Sequence, residues 1–222
     1  MAEKIEIQGV IFDMDGLIFD TERLVKLSWS SASKILGLPD VGEHIYYTLG
    51  TNRKSRNIYF KEHFGEDFPI EEFTTLVHSE FNKIVKERGI ALKTGFLELA
   101  TTLKDRQIKM ALATSSSELY ATKLLKDKNI YSYFTAFAFG DGVKNSKPNP
   151  EIYLKATNLL AIETNKLIAL EDAPIGVEAA VNAKLKTIMI PDLVQPDQRT
   201  KEKCFKIFPS LLEVNEYIKS AN

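Results

Sequence analysis

The chain has 222 residues, 44% hydrophobic and 27% charged, with 29 Lys and Arg against 30 Asp and Glu for a formal net charge of −1. That length makes one large domain or a core carrying a smaller insertion, and the balanced charge supplies no electrostatic footprint for nucleic acid or an anionic membrane. The single cysteine, Cys204, cannot pair within the chain, the stretch Met1 to Gly9 carries charges at Glu3, Lys4 and Glu6 instead of a leader's apolar run, and no apolar run approaches the roughly 20 residues of a membrane helix, so a cytoplasmic protein, monomeric by default, is expected.

The first apolar run, Ile7 to Phe12, reads as a strand. From Thr21 to about Gly37 the apolar residues Val25, Trp29, Ala32 and Leu36 recur at helical spacing, with Gly37 and Pro39 as a stop. A polar helix follows around Asn52 to His63, and then a second stripe, Phe73, Val77, Phe81 and Ile84, ends near Gly89. Both stripes are read as packing faces. Four further apolar runs, Lys109 to Ala113, Phe137 to Phe139, Leu167 to Leu170 and Thr187 to Ile190, read as strands. They lack polar and apolar alternation, the mark of parallel strands covered on both faces. Almost a hundred residues separate the first strand from the second, far more than one crossover needs. The expectation is a Rossmann-like α/β parallel sheet core, residues 1–20 and 92–222, with an inserted α-helical cap domain over 21–91.

Ligands of open parallel sheets bind beyond the carboxyl ends of the strands. The first strand ends in Asp13-Met14-Asp15-Gly16, the second in Thr114-Ser115-Ser116 and the fourth in Glu171-Asp172, while Lys147 sits in the loop Asn145 to Pro148. Clustered carboxylates raise one another's pKa unless a cation neutralises them. Mg2+, held by one or two carboxylates, waters and a substrate phosphate, resolves that conflict. Ser115 and Glu118 stand at capping-box spacing, and Asn149-Pro150 reads as an N-cap with a first-turn proline. His44, His63 and His78 match no zinc spacing and are read as surface residues.

The segments Asp13 to Glu22, Leu112 to Ser116, Ser146 to Pro148 and Leu170 to Gly176 resemble, in that order, the four motifs of the haloacid dehalogenase superfamily, nearest its phosphatase and β-phosphoglucomutase branch. The stretches Asp13 to Leu24, Ala111 to Ser116 and Glu171 to Ala180, with Ile190-Pro191-Asp192, are also similar to the pseudouridine-5′-phosphatases. The resemblance implies a Mg2+-dependent phosphatase of small phosphorylated metabolites, sugar phosphates or nucleotide-like monophosphates. In it Asp13 is the nucleophile, Asp15 the acid and base, and Thr114, Ser115 and Lys147 hold the phosphate. The metal falls to the carboxylates of Asp13 and Asp172 and the carbonyl of Asp15, with Glu171 as a further ligand or a supporting partner. From the cap, Arg53 is the foremost candidate for contact with the leaving group, with Tyr46, Tyr47 and Lys54 beside it. Two alternatives stand next to the phosphatase: a phosphosugar mutase, against which Val25 occupies the position of the mutases' early cap histidine, and a non-catalytic binding protein on the same fold. Lys93-Thr94-Gly95 departs from the family's usual Pro-Gly at the return from the cap.

Overall fold

The computed structural model describes residues 6–221; residues 1–5, part of the N-terminal stretch considered above, and residue 222 lie outside the described residues. Six strands, β1 (Gly9–Phe12), β2 (Lys109–Thr114), β3 (Ala136–Phe139), β4 (Leu167–Glu171), β5 (Lys186–Met189) and β6 (Lys206–Ile207), pair in the order β3-β2-β1-β4-β5-β6, all parallel. Nine α-helices accompany them: α1 (Glu22–Ile35), α2 (Arg53–Phe64), α3 (Ile70–Arg88), α4 (Phe96–Asp105), α5 (Glu118–Asp127), α6 (Glu151–Leu160), α7 (Pro174–Asn182), α8 (Gln198–Lys203) and α9 (Leu211–Ala221).

The absence of alternation in the strands has the expected cause, because both faces of the sheet are buried. Val10, Phe12, Leu112, Ile168 and Leu170 join a cluster under α4, α5 and α9. Their neighbours Ile11, Ala111, Ala113 and Ala169 join a second cluster under α6 and α7. Each fully buried Phe or Ile contributes about 1.5–3 kcal/mol relative to exposure. Only β6, two residues long, has no counterpart among the expected strands; so short a run carries no periodic signal.

Helices α1 to α3 surround a third cluster that contains Trp29, Ala32, Phe60 and Phe73. The stripe on α3 splits: Phe73 is buried there and Val77 packs against it, while Phe81 and Val85 pack on the cluster under α4. The two chain segments joining these helices to the sheet run side by side, with the Asp20 N–H donating to the Ala91 carbonyl (3.0 Å) and the Lys93 N–H to the Ile18 carbonyl (2.8 Å). Asp192, its side chain 3% exposed, ties both segments down. It accepts a hydrogen bond from Arg23 Nη1 (3.0 Å) and forms ion pairs with Arg23 Nη2 (2.7 Å) and Lys93 Nζ (2.7 Å). Among the described residues no helix is long and apolar enough to cross a membrane.

Candidate active site

Strand order reverses where β1 meets β4, and the crevice beyond their carboxyl ends gathers the acidic residues. Asp13 follows β1, Glu171 ends β4 and Asp172 follows it; carboxylate oxygens of the three lie within 4.8 Å of one another, and all three side chains are buried. Lys147, in the loop before α6, is 3% exposed and donates to Asp13 Oδ1 (2.5 Å) and to Glu171 Oε1 (2.6 Å). The same Glu171 oxygen accepts a hydrogen bond from the hydroxyl of Tyr153 on α6. Tyr153 lies on a helix outside the four motifs, so its type and spacing carry no signal of this contact.

Burial pushes Asp13 up to about 7 against the opposing charge of Lys147. Burial alone would pull the Lys147 ammonium down, but the charges of Asp13 and Glu171 and its hydrogen bonds to both leave it raised. Asp172 is well above the usual carboxylate range because it is buried and faces the charges of Glu22, Asp13 and Glu171. Glu22, the first residue of α1, is the second residue the sequence analysis passed over. It is buried, raised by that burial and by neighbouring carboxylates, and its Oε2, like Oδ2 of Asp172, has no hydrogen-bond partner.

Four buried carboxylates against one lysine, two of them with an orphaned oxygen, form a donor set suited to a hard divalent cation such as Mg2+. Gly16 keeps the crevice open. Its φ of +84° is left-handed, and a Cβ there would fall 2.2 Å from Asp172 Oδ2.

Asp15 stands apart from this cluster. Its Oδ1 accepts from Thr21 Oγ1 (2.7 Å) and its Oδ2 from Ser116 Oγ (2.8 Å). Burial raises its pKa, and those two donors moderate the rise. Thr114 is buried at the end of β2, and its Oγ1 accepts the Ser116 N–H (3.0 Å).

The capping box is corrected. The N-cap of α5 is Ser117, whose Oγ accepts from Tyr120 N–H, and the Glu118 N–H donates to Asp141. Ser115 instead donates its hydroxyl to the Gly50 carbonyl (3.0 Å), joining the loop after β2 to the turn before α2. The cap of α6 is corrected as well: Pro150 is itself the N-cap residue, outside the first turn, and Asn149 stands one residue before it with its Oδ1 accepting the Glu151 N–H (3.0 Å).

A cavity of about 630 Å3 joins these groups to the helical part of the molecule. Its lining joins Asp13, Asp15, Thr114, Ser115, Glu171 and Asp172 from the sheet's edge to Val25, Trp29, Arg53, Arg56 and Phe81 from helices α1 to α3. Tyr46, Tyr47 and Lys54 do not line it: Tyr46 accepts from Lys26 (2.9 Å) and Tyr47 is 72% exposed. Of the three histidines His63 and His78 are exposed, as expected, and His44 is the exception. His44 is half-buried, bonded to the Tyr59 hydroxyl (2.8 Å) and packed on the His63 ring, and His78 lines the cavity.

The family model described as haloacid dehalogenase-like hydrolase matches residues 10–190. A Thermotoga maritima protein named phosphorylated carbohydrates phosphatase is 33% identical over 186 residues, 82% of this chain and 84% of that protein. A Drosophila melanogaster protein named "Probable pseudouridine-5'-phosphatase" is 28% identical over 200 residues, 86% of each chain. Among solved structures, CbbY from Rhodobacter sphaeroides in complex with phosphate superposes with a TM-score of 0.78 at 27% identity, covering 94% of this chain and 96% of that one.

Proposed function

The chain belongs to the haloacid dehalogenase-like hydrolase family and is a phosphoric monoester hydrolase, and we propose that it hydrolyses a small phosphorylated carbohydrate or similar metabolite through an aspartyl-phosphate on Asp13. Asp13 Oδ1 is held by Lys147, which leaves Oδ2 to attack phosphorus. As the P–O bond to the alcohol breaks, Asp15 delivers its proton to the departing oxygen; the bonds from Thr21 and Ser116 hold its carboxyl in place. Asp15 then takes a proton from water, the water oxygen attacks phosphorus, and the bond to Asp13 breaks to release inorganic phosphate. Thr114, Ser115 and Lys147 face the phosphoryl oxygens, with Lys147 offsetting their charge.

Asp13, Asp172 and the Asp15 carbonyl would hold Mg2+, which when bound supplies positive charge to the phosphoryl oxygens. The bonds from Lys147 and Tyr153 to Glu171 favour the supporting role for that carboxylate. Residues 21–91 act as a cap that closes over the cavity and excludes water. The observation that carries this reading is the buried Lys147 bonded to both Asp13 and Glu171, two carboxylates that line one cavity together with Asp15.

The test is inorganic phosphate release with Mg2+ and with EDTA across phosphorylated sugars, nucleotides and glycolytic intermediates. Metal-dependent release that Asp13→Asn abolishes is expected. Near-native turnover by that variant would overturn the mechanism. Conversion of β-glucose 1-phosphate to glucose 6-phosphate without phosphate release would identify a mutase, a reaction for which Val25 brings no titratable group to the cavity.

A further inference from the structure

The mechanism leaves one buried acid without a task. Glu22 opens α1, the first helix beyond the segment that joins the sheet to the helical insertion, and is 6% exposed. Among the described residues its Oε2 has no hydrogen-bond partner, and neither has Oδ2 of Asp172. The two carboxyls face the same point, since a Cβ on Gly16 would fall 3.0 Å from Glu22 Cδ and 2.2 Å from Asp172 Oδ2. Glu22 is the foremost charge acting on Asp172, and the charges acting on Glu22, those of Asp192, Asp15, Asp13 and Glu171, are all negative. Its neighbour in sequence, Arg23, is engaged by Asp20 and Asp192.

Within the fold nothing offsets this carboxylate, and a buried charge without a partner is costly. A divalent cation held by Asp13 and Asp172 reverses the field at Glu22, turning repulsion from Asp172 into attraction toward the crevice. Glu22 stands outside the set of Asp13, Glu171 and Asp172, whose oxygens lie within 4.8 Å of one another, so it addresses the ion from beyond those ligands. Mg2+ commonly keeps several waters when one or two carboxylates bind it, and such waters give an outlying carboxylate its hydrogen bonds. Because Glu22 is also the first residue of α1, what holds its carboxylate holds the helix against the sheet's edge.

We infer that Glu22 is a positioning residue that couples the cation to the cap: its carboxylate is drawn to the bound ion and seats α1 against the sheet, and it frees the helix when the ion leaves. This rests on the reading of the crevice as the Mg2+ site of a phosphatase. By linkage, the seated cap binds the ion more tightly than the freed one.

The experiment reads the ion and the helix separately, without substrate. Mg2+ affinity is measured by titration calorimetry, and amide hydrogen exchange over residues 25–32 of α1 is followed with Mg2+ and with EDTA. In the wild-type protein Mg2+ is expected to slow exchange there several-fold, and more than in α9, which supplies no residue to the crevice. Glu22→Gln keeps the length of the side chain and removes its charge. It is expected to weaken Mg2+ binding by about tenfold, the low end for a supporting partner of a metal site, and to abolish the slowing in α1, while melting in EDTA no lower than wild type. Unchanged Mg2+ affinity in Glu22→Gln would overturn the inference. Weakened affinity with the slowing intact would overturn it as well, because the carboxylate would then serve the ion without carrying the helix. So would a Glu22→Gln protein that melts well below wild type in EDTA, by assigning the residue to the fold. Phosphate release by the wild-type protein, assayed alongside, keeps the failures apart: with release intact, any of these outcomes defeats this inference alone, whereas a wild-type protein that neither binds Mg2+ nor releases phosphate brings down the phosphatase reading and this inference with it.

Discussion

At the scale of single residues, the two acids of the first motif are set apart by their partners. Asp13 is bonded to Lys147 within the carboxylate cluster, whereas Asp15 is held by two hydroxyls. Donors to a carboxylate favour its ionised form, so removing one raises its pKa. Ser116→Ala is therefore expected to move the basic limb of the kcat profile to higher pH and to lower kcat by about tenfold as the carboxyl loses its orientation. The profile is to be measured on an alkyl phosphate, whose poor leaving group makes phosphorylation of Asp13 limiting. A basic limb that stays in place would assign the acid to another group. Tyr153→Phe removes one of two donors to Glu171 Oε1 and leaves Lys147 in contact. A loss of about 1–3 kcal/mol in stability is expected, with kcat falling more than KM rises. Equal native kinetics would make the phenol a packing residue only. Asp13, Asp15, Lys147 and Asp172 were legible in the sequence because their types and their order at strand ends have no ready structural cause. Glu22 and Tyr153 were not, because their parts in the cluster depend on the approach of α1 and α6 to the crevice, and spacing along the chain does not encode that.

At the scale of elements, strands were legible because burial on both faces removes polar residues from them, and the helices because their stripes meet one cluster each, α3 excepted. Capping at α5 was misread because Ser115, Ser116 and Ser117 all offer a hydroxyl, and only the path of the loop selects Ser117. The hinge was hidden for a similar reason. Lys93 registered in the sequence as a departure from the family's Pro-Gly, and Arg23 not at all, yet the two converge on Asp192 from separate segments. Asp192→Asn keeps the shape but leaves Lys93 and Arg23, the latter still paired with Asp20, facing a neutral amide at the one buried member of the network. Faster amide hydrogen exchange is expected in residues 18–23 and 90–95, with a several-fold loss of kcat/KM and little change across β1 to β4. Exchange rates in those two segments equal to wild type would show that backbone pairing alone holds the hinge.

At the scale of the whole molecule, a chain of nearly zero net charge concentrates Asp13, Glu22, Glu171 and Asp172 around one lysine at the sheet's switch point. Folding without a counter-ion favours the protonated forms of Asp13, Glu22 and Asp172. Asp13 keeps its proton up to about 7 in the folded protein, against an ordinary value of 3.8, and burial raises Glu22 and Asp172 as well. The folded state therefore binds more protons than the unfolded chain between those values, and stability falls as pH rises through that window. In EDTA the melting temperature should drop from about pH 5 to about pH 8. Mg2+ competes with the same protons, and a ligand that binds only the folded state stabilises it by mass action. Its effect on melting should thus be small at about pH 5 and largest at about pH 8, and Asp172→Asn should shrink both the pH dependence and the metal effect. A melting temperature in EDTA that is flat across this range would mean that the carboxylates are neutralised by contacts within the fold, and the case for a divalent cation at this crevice would lose its electrostatic basis.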